Sequence, residues 1–111
     1  MYLYVELWTA RPEWLALSEE ERRSYIESVG GSIGSLVALG AEPIGTALDD
    51  ADTPHATGHR FLCAWRMPSR EMARKLEEEV EKSGWHRYFD QVNARGPILD
   101  MDETLEAMVQ G

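Results

Sequence analysis

The sequence predicts an α+β fold: a four-stranded antiparallel sheet with helices on one face and one more helix at the C-terminus. Three observations predict it. Apolar and polar residues alternate, as strands require, over residues 2–9, 43–49, 59–66 and 88–94. Two stretches with apolar residues three and four apart separate the first strand from the second and the third from the fourth. Glycine, proline and aspartate punctuate the junctions.

The elements follow in order. Ala10-Arg11-Pro12 ends the first strand, and Pro12 suits the start of a short helical turn over Glu13-Trp14-Leu15-Ala16. Ser18 with Glu21 three places on forms a capping box, so the first long helix starts there. Tyr25, Ile26, Val29, Ile33, Leu36 and Val37 make its apolar stripe, and Gly40 stops it. Gly30, Gly31 and Gly34 interrupt this helix. Each costs about 1 kcal/mol relative to alanine, so they imply either close packing on a neighbour or a break. The segment follows no strand and lacks the P-loop lysine, so it is not a phosphate loop. Residues 49–58 form a polar loop between the second and third strands. Pro68-Ser69 opens the second long helix, whose stripe is Met72, Ala73, Leu76 and Val80, and Gly84 ends it. Trp85-His86 connects to the fourth strand, which Pro97 breaks. Asp102 can cap a final helix bearing Leu105, Met108 and Val109. Strand, helix, strand, strand, helix, strand is the split βαβ order of ferredoxin-like folds.

The 111 residues suit one domain with one core. The net charge of -9, from 11 basic and 20 acidic residues, repels phosphate backbones and anionic lipid, which argues against nucleic acid and membrane surfaces as partners. Cys63 is the single cysteine, so no intrachain disulfide forms and a reducing compartment is expected. With no basic-then-apolar leader and no apolar run of about 20 residues, a cytoplasmic protein is expected.

Strand alternation sorts side chains onto two faces. Leu3, Val5, Leu7, Leu62 and Ala64 share a small aliphatic face. Tyr2, Tyr4, Glu6 and Trp8 share a large aromatic one with His59, Phe61, Cys63 and Trp65. We expect the helices on the aliphatic face and the aromatic face left to a second copy of the chain, because an apolar sheet face needs another layer.

With this order, and with that face uncovered, the chain resembles the dimeric α+β barrel superfamily over residues 2–97. Its members pack two ferredoxin-like sheets face to face around a cavity. They include cofactor-free monooxygenases, lactone isomerases, polyketide cyclases and haem-handling enzymes. Asp52-Thr53-Pro54-His55, Trp65-Arg66-Met67-Pro68, Gly84-Trp85 and the run from Phe89 to Gly96 also look like a small bacterial family of unassigned function. No catalytic motif of a characterised branch maps onto these residues, and a shared fold does not fix a function.

Glu6 and His59 are the candidate catalytic groups. A carboxylate in apolar surroundings has a raised pKa and can act as acid or base near neutrality. The alternatives are an ion pair at a dimer contact for Glu6 and a structural role for His59. Tyr4, Trp8, Phe61 and Trp65 would line a ligand cavity, with Asn93 orienting a polar group if the fourth strand turns it inward; the alternative is plain dimer core. Cys63 lacks a neighbouring base and reads as a small apolar residue. Asp50, Asp52, His55 and His59 could gather around a metal, but aspartates here more simply make turns. Trp85, His86 and Tyr88 anchor helix to sheet or shape a cavity mouth.

The leading expectation is a homodimer with a mostly apolar cavity between sheet and helices, binding a small aromatic or polyketide-like molecule. Any catalysis would be proton transfer without a cofactor, as in an isomerase, a cyclase or a monooxygenase. The alternatives are a non-catalytic dimerisation or interaction module, and haem or metal binding through His55, His59 or His86.

Overall fold

The computed structural model describes residues 1–111. The elements run β1 (Tyr2–Ala10), α1 (Pro12–Leu15), α2 (Glu19–Ala38), β2 (Glu42–Leu48), β3 (Phe61–Met67), α3 (Arg70–Lys82), α4 (Trp85–Tyr88), β4 (Phe89–Pro97) and α5 (Met101–Gln110). The strands form one antiparallel sheet in the order β2-β3-β1-β4. This is the ferredoxin-like arrangement that the element order predicts.

Caps set several boundaries. Ser18 accepts from the Glu21 amide while Glu21 accepts from the Ser18 amide, closing the expected capping box on α2. Ser69 caps α3 through the Met72 amide. Asp100, not Asp102, caps α5, in a second box with Glu103. Residues 85–88 close a helical turn, so β4 begins at Phe89 and extends three residues past the expected end at Ala94. Likewise β3 begins at Phe61, which leaves His59 in the preceding loop. The glycines of α2 neither break the helix nor admit a neighbour: it is continuous, and a Cβ at Gly30, Gly31 or Gly34 would meet nothing within 4 Å.

The expected facing of the sheet is reversed. Tyr4, Glu6, Cys63, Trp65 and Met67 are buried beneath the chain's own helices, in a core completed by Leu36, Ala73, Leu76 and Val80. The aliphatic face is the open one, with Leu3 and Val92 exposed. Ring size accounts for this. An aromatic side chain buries roughly 150–250 Å², so covering the rings with α2 and α3 removes far more apolar surface from water than covering the valines and leucines.

A second aromatic cluster ties the first half of the chain to the last. Trp14 of α1 packs on Tyr25 of α2, Tyr88 of α4 and Phe89 of β4 at centroid distances of 5.6, 5.5 and 4.8 Å. The Tyr25 hydroxyl donates to the Ser83 carbonyl at 3.0 Å. No helix is long and apolar enough to cross a membrane.

Candidate functional site

Antiparallel pairing places three rows of side chains under the helices. In β1 and β4, Tyr4 faces Arg95, Glu6 faces Asn93 and Trp8 faces Gln91. In β1 and β3, Tyr4 faces Trp65, Glu6 faces Cys63 and Trp8 faces Phe61. Opposed residues share a face, so the polar positions of β4 meet the aromatic side of the sheet.

Between this face and α2, α3 and α4 lies a cavity of about 180 Å³. Glu6, Cys63, Trp65 and Gln91 line its sheet side with Trp8 and Thr46, while Val29, Ile33, Leu76, Val80 and Trp85 close it from the helices. Thr46 belongs to β2, an edge strand whose seven residues are all exposed, so the cavity approaches solvent on that side.

Glu6 is the buried carboxyl group of the core, 8% exposed. Trp65 Nε1 donates to its Oε2 at 2.9 Å and Gln91 Nε2 to its Oε1 at 3.2 Å. Gln91 is held in turn: its Oε1 accepts from Trp85 Nε1 at 2.6 Å, and its Nε2 also reaches Asn93 Oδ1 at 2.7 Å. Burial pushes the Glu6 carboxyl above its ordinary value of 4.5, and the two N–H donors oppose that shift without cancelling it. No lysine, arginine or histidine lines the cavity to offset the charge. Burial, and then the charge of Glu6, push the Cys63 thiol up to about 11, so the thiolate is disfavoured where it would have to form.

The other expected site residues separate from Glu6 to different degrees. Trp8 and Trp65 line the cavity. Phe61 lies behind Trp8, stacked on it at 5.7 Å, outside the lining. Tyr4 is core beside the cavity; burial, then Glu77 and Glu6, raise its pKa, so its hydroxyl keeps its proton. The register of β4, open in the sequence, turns Asn93 to the face of Glu6, but it is exposed and reaches Glu6 only through Gln91. His59 is not brought to Glu6. Its Nδ1 lies 3.3 Å from Thr9 Oγ1, at the end of β1 beyond Trp8, and it lines no part of the cavity. The physical reason is the late start of β3, which puts His59 in the loop.

Gln91 went unnoticed in the sequence, because its side of the sheet depends on the register of β4. The signal was its alternation with Val92 in a strand opposite Trp8. Trp85 both anchors and lines: it packs on Phe89 at 4.2 Å and on Trp8 at 5.9 Å while walling the cavity. In the acidic loop the Asp50 carboxylate accepts from the Asp52 amide at 3.0 Å, the turn expected of aspartate. No three His, Cys, Asp or Glu side chains converge there or elsewhere as a metal-ligand set. Nor do the cavity residues fit a haem, since His55, His59 and His86 all lie outside the lining and the volume is that of a much smaller molecule.

Solved structures share this ferredoxin-like fold at low sequence identity. A chlorite dismutase from Candidatus Nitrospira defluvii superposes with a TM-score of 0.73 at 19% identity, over 98% of this chain and 44% of that one. The Arabidopsis thaliana protein At3g17210 gives 0.59 at 14% identity, over 91% and 98%. A dimeric ferredoxin-like protein of unknown function from Thermobifida fusca gives 0.50 at 10% identity, over 87% and 90%. The chain thus spans less than half the length of the chlorite dismutase. No curated protein matches it. The chain belongs to the family described as "Family of unknown function (DUF6616)", whose model matches residues 1–111.

Proposed function

We propose that this protein binds a small, mostly apolar molecule in the cavity between its sheet and helices, with Glu6 as the proton-handling group. One observation carries the reading: a buried carboxyl without a cationic partner borders an apolar space of about 180 Å³. Buried charges are ordinarily paired, and an unpaired one beside a cavity is a functional candidate. If the protein is an enzyme, the chemistry is proton transfer. Glu6 takes a proton from the ligand, the electron pair is held as an enolate whose oxygen accepts a hydrogen bond from the now neutral Glu6 carboxyl, and that carboxyl returns the proton at another atom. The net result is isomerisation or ring closure, with no oxidant consumed. His59 has no part in this reading, because it lies away from the cavity.

Apolar cavities of this size take up xenon. Xenon NMR of the wild type should show a bound environment that disappears in Val80→Phe, where the added ring fills the space. Identical spectra for the two proteins would mean that no accessible cavity exists and would remove the site.

A second proposal concerns assembly. Leu7 faces Leu62 and Val92, and Val5 faces Ala64 and Ala94, making a continuous aliphatic patch on the uncovered side of the sheet. We infer a homodimer through this patch. The dimeric relative from Thermobifida fusca supports the reading.

A further inference from the structure

We propose that the cavity selects an uncharged single-ring compound bearing a hydroxyl group, a phenol or a stable enol, with that hydroxyl set against Glu6. The inference rests on the cavity being a ligand site and adds which chemistry it accepts.

Size comes first. An apolar cavity of roughly 150 Å³ accepts one benzene ring. The space here, about 180 Å³, leaves room for one ring and a small substituent but not for two fused rings. Valine, isoleucine and leucine side chains and three indoles make up most of the wall, so the body of the ligand is apolar.

The polar groups narrow the choice further. Of the three wall tryptophans, Trp65 gives its N–H to Glu6 and Trp85 gives its N–H to Gln91, while the N–H of Trp8 makes no hydrogen bond within the chain. Gln91 has committed its oxygen to Trp85 and its nitrogen to Glu6 and Asn93. The Trp8 N–H and the Thr46 hydroxyl are left uncommitted, but no cation lines the wall to balance an anionic ligand, which would also sit against a carboxyl group in a poorly screened space. Each oxygen of Glu6 already accepts one N–H. Its remaining capacity is one lone pair on each oxygen when ionised, and a proton that needs an acceptor when neutral. A carbonyl ligand satisfies only the acid, and an ammonium only the carboxylate. A hydroxyl donates and accepts, so it satisfies either form. A hydroxyl thus keeps its hydrogen bond to Glu6 through a change of protonation state.

Three of the four tryptophans line the cavity, so their emission reports occupancy. Titrating the wild type with phenol, benzaldehyde, benzylamine and benzoate should show saturable binding of phenol, with benzoate at least about tenfold weaker. In Glu6→Gln, which removes the charge and nearly keeps the shape, the margin of phenol over benzoate should shrink. Equal or tighter binding of benzoate, benzylamine or benzaldehyde by the wild type overturns the hydroxyl class and leaves the cavity standing. Failure of all four probes, or equal phenol binding by the xenon-negative Val80→Phe protein, overturns both. The wild-type comparison decides the class even if Glu6→Gln does not fold.

Discussion

Glu6 is surrounded on every side by groups that the fold itself supplies. Cys63 and Asn93 flank it across the strands, and Trp65 and Gln91 bind its oxygens. Leu76 and Val80 from α3, Val29 and Ile33 from α2, and Trp85 from α4 face the same space and bring no charge. Tyr4, one row along β1, keeps its proton, and beyond it the Glu77 carboxylate is held below its ordinary range by Arg95 at 2.8 Å. Because the folded-state pKa of Glu6 lies above the unfolded value near 4.5, its protonated form favours folding. That contribution is complete below the unfolded value and disappears as pH rises through the folded one. Urea unfolding of the wild type and of Glu6→Gln, followed from about pH 4 to about pH 8, should therefore show the wild type losing stability relative to the variant as pH rises. A constant difference would mean that Glu6 titrates normally. This residue was legible in the sequence, since strand alternation put it among rings and its carboxyl chemistry followed. Of its partners, Trp65 was legible on the same face and Gln91 was not, because Gln91 joins it only through a strand pairing that residues 88–97 do not fix by themselves.

At the scale of elements, α2 carries an unexplained weakness. Its three interior glycines sit in helical backbone with open space where a Cβ would go. Gly30→Ala, Gly31→Ala and Gly34→Ala should each stabilise the protein by about 0.5–1 kcal/mol, read as a higher urea midpoint with unchanged slope. Gly84→Ala should do the reverse by about 1 kcal/mol, because Gly84 ends α3 at φ +77°. Element order, the Ser18 box and the stripe Ala73, Leu76 and Val80 were readable because they depend on local spacing. The side of the sheet that α2 and α3 cover was not. Alternation separates the residues of β1 and β3 into two faces, both apolar, and nothing local says which one meets the helices. Small residues such as Ala73 on α3 leave room for the rings of Tyr4 and Trp65, a complementarity visible only after folding.

The whole molecule is more extended than a compact chain of its size. Its radius of gyration is 15.8 Å, against about 13 Å expected for a compact chain of this length, and no residue of α5 is buried. Met101, Leu105, Met108 and Val109 all face outward from that helix. A ten-residue helix is marginal alone in water, so the exposed stripe on α5 and the aliphatic patch of Leu7, Leu62 and Val92 both favour a second copy. Sedimentation or light scattering should give about twice the 12.6 kDa chain mass. Val92→Lys, on a side chain already half exposed in the protomer, should halve the measured mass while leaving the fold intact by circular dichroism. A dimer that persists in Val92→Lys would place the contact elsewhere.

β2 has a bearing on how this chain behaves when concentrated. Its outer backbone is unpaired, and such a margin can recruit a strand from a foreign molecule and seed a fibril. Pro43 offers no N–H to an incoming strand, and the register shift between Pro43 and Gly45 bends the margin out of line. The irregularity in the pairing of β2 with β3 thus also guards the chain against runaway polymerisation from that side.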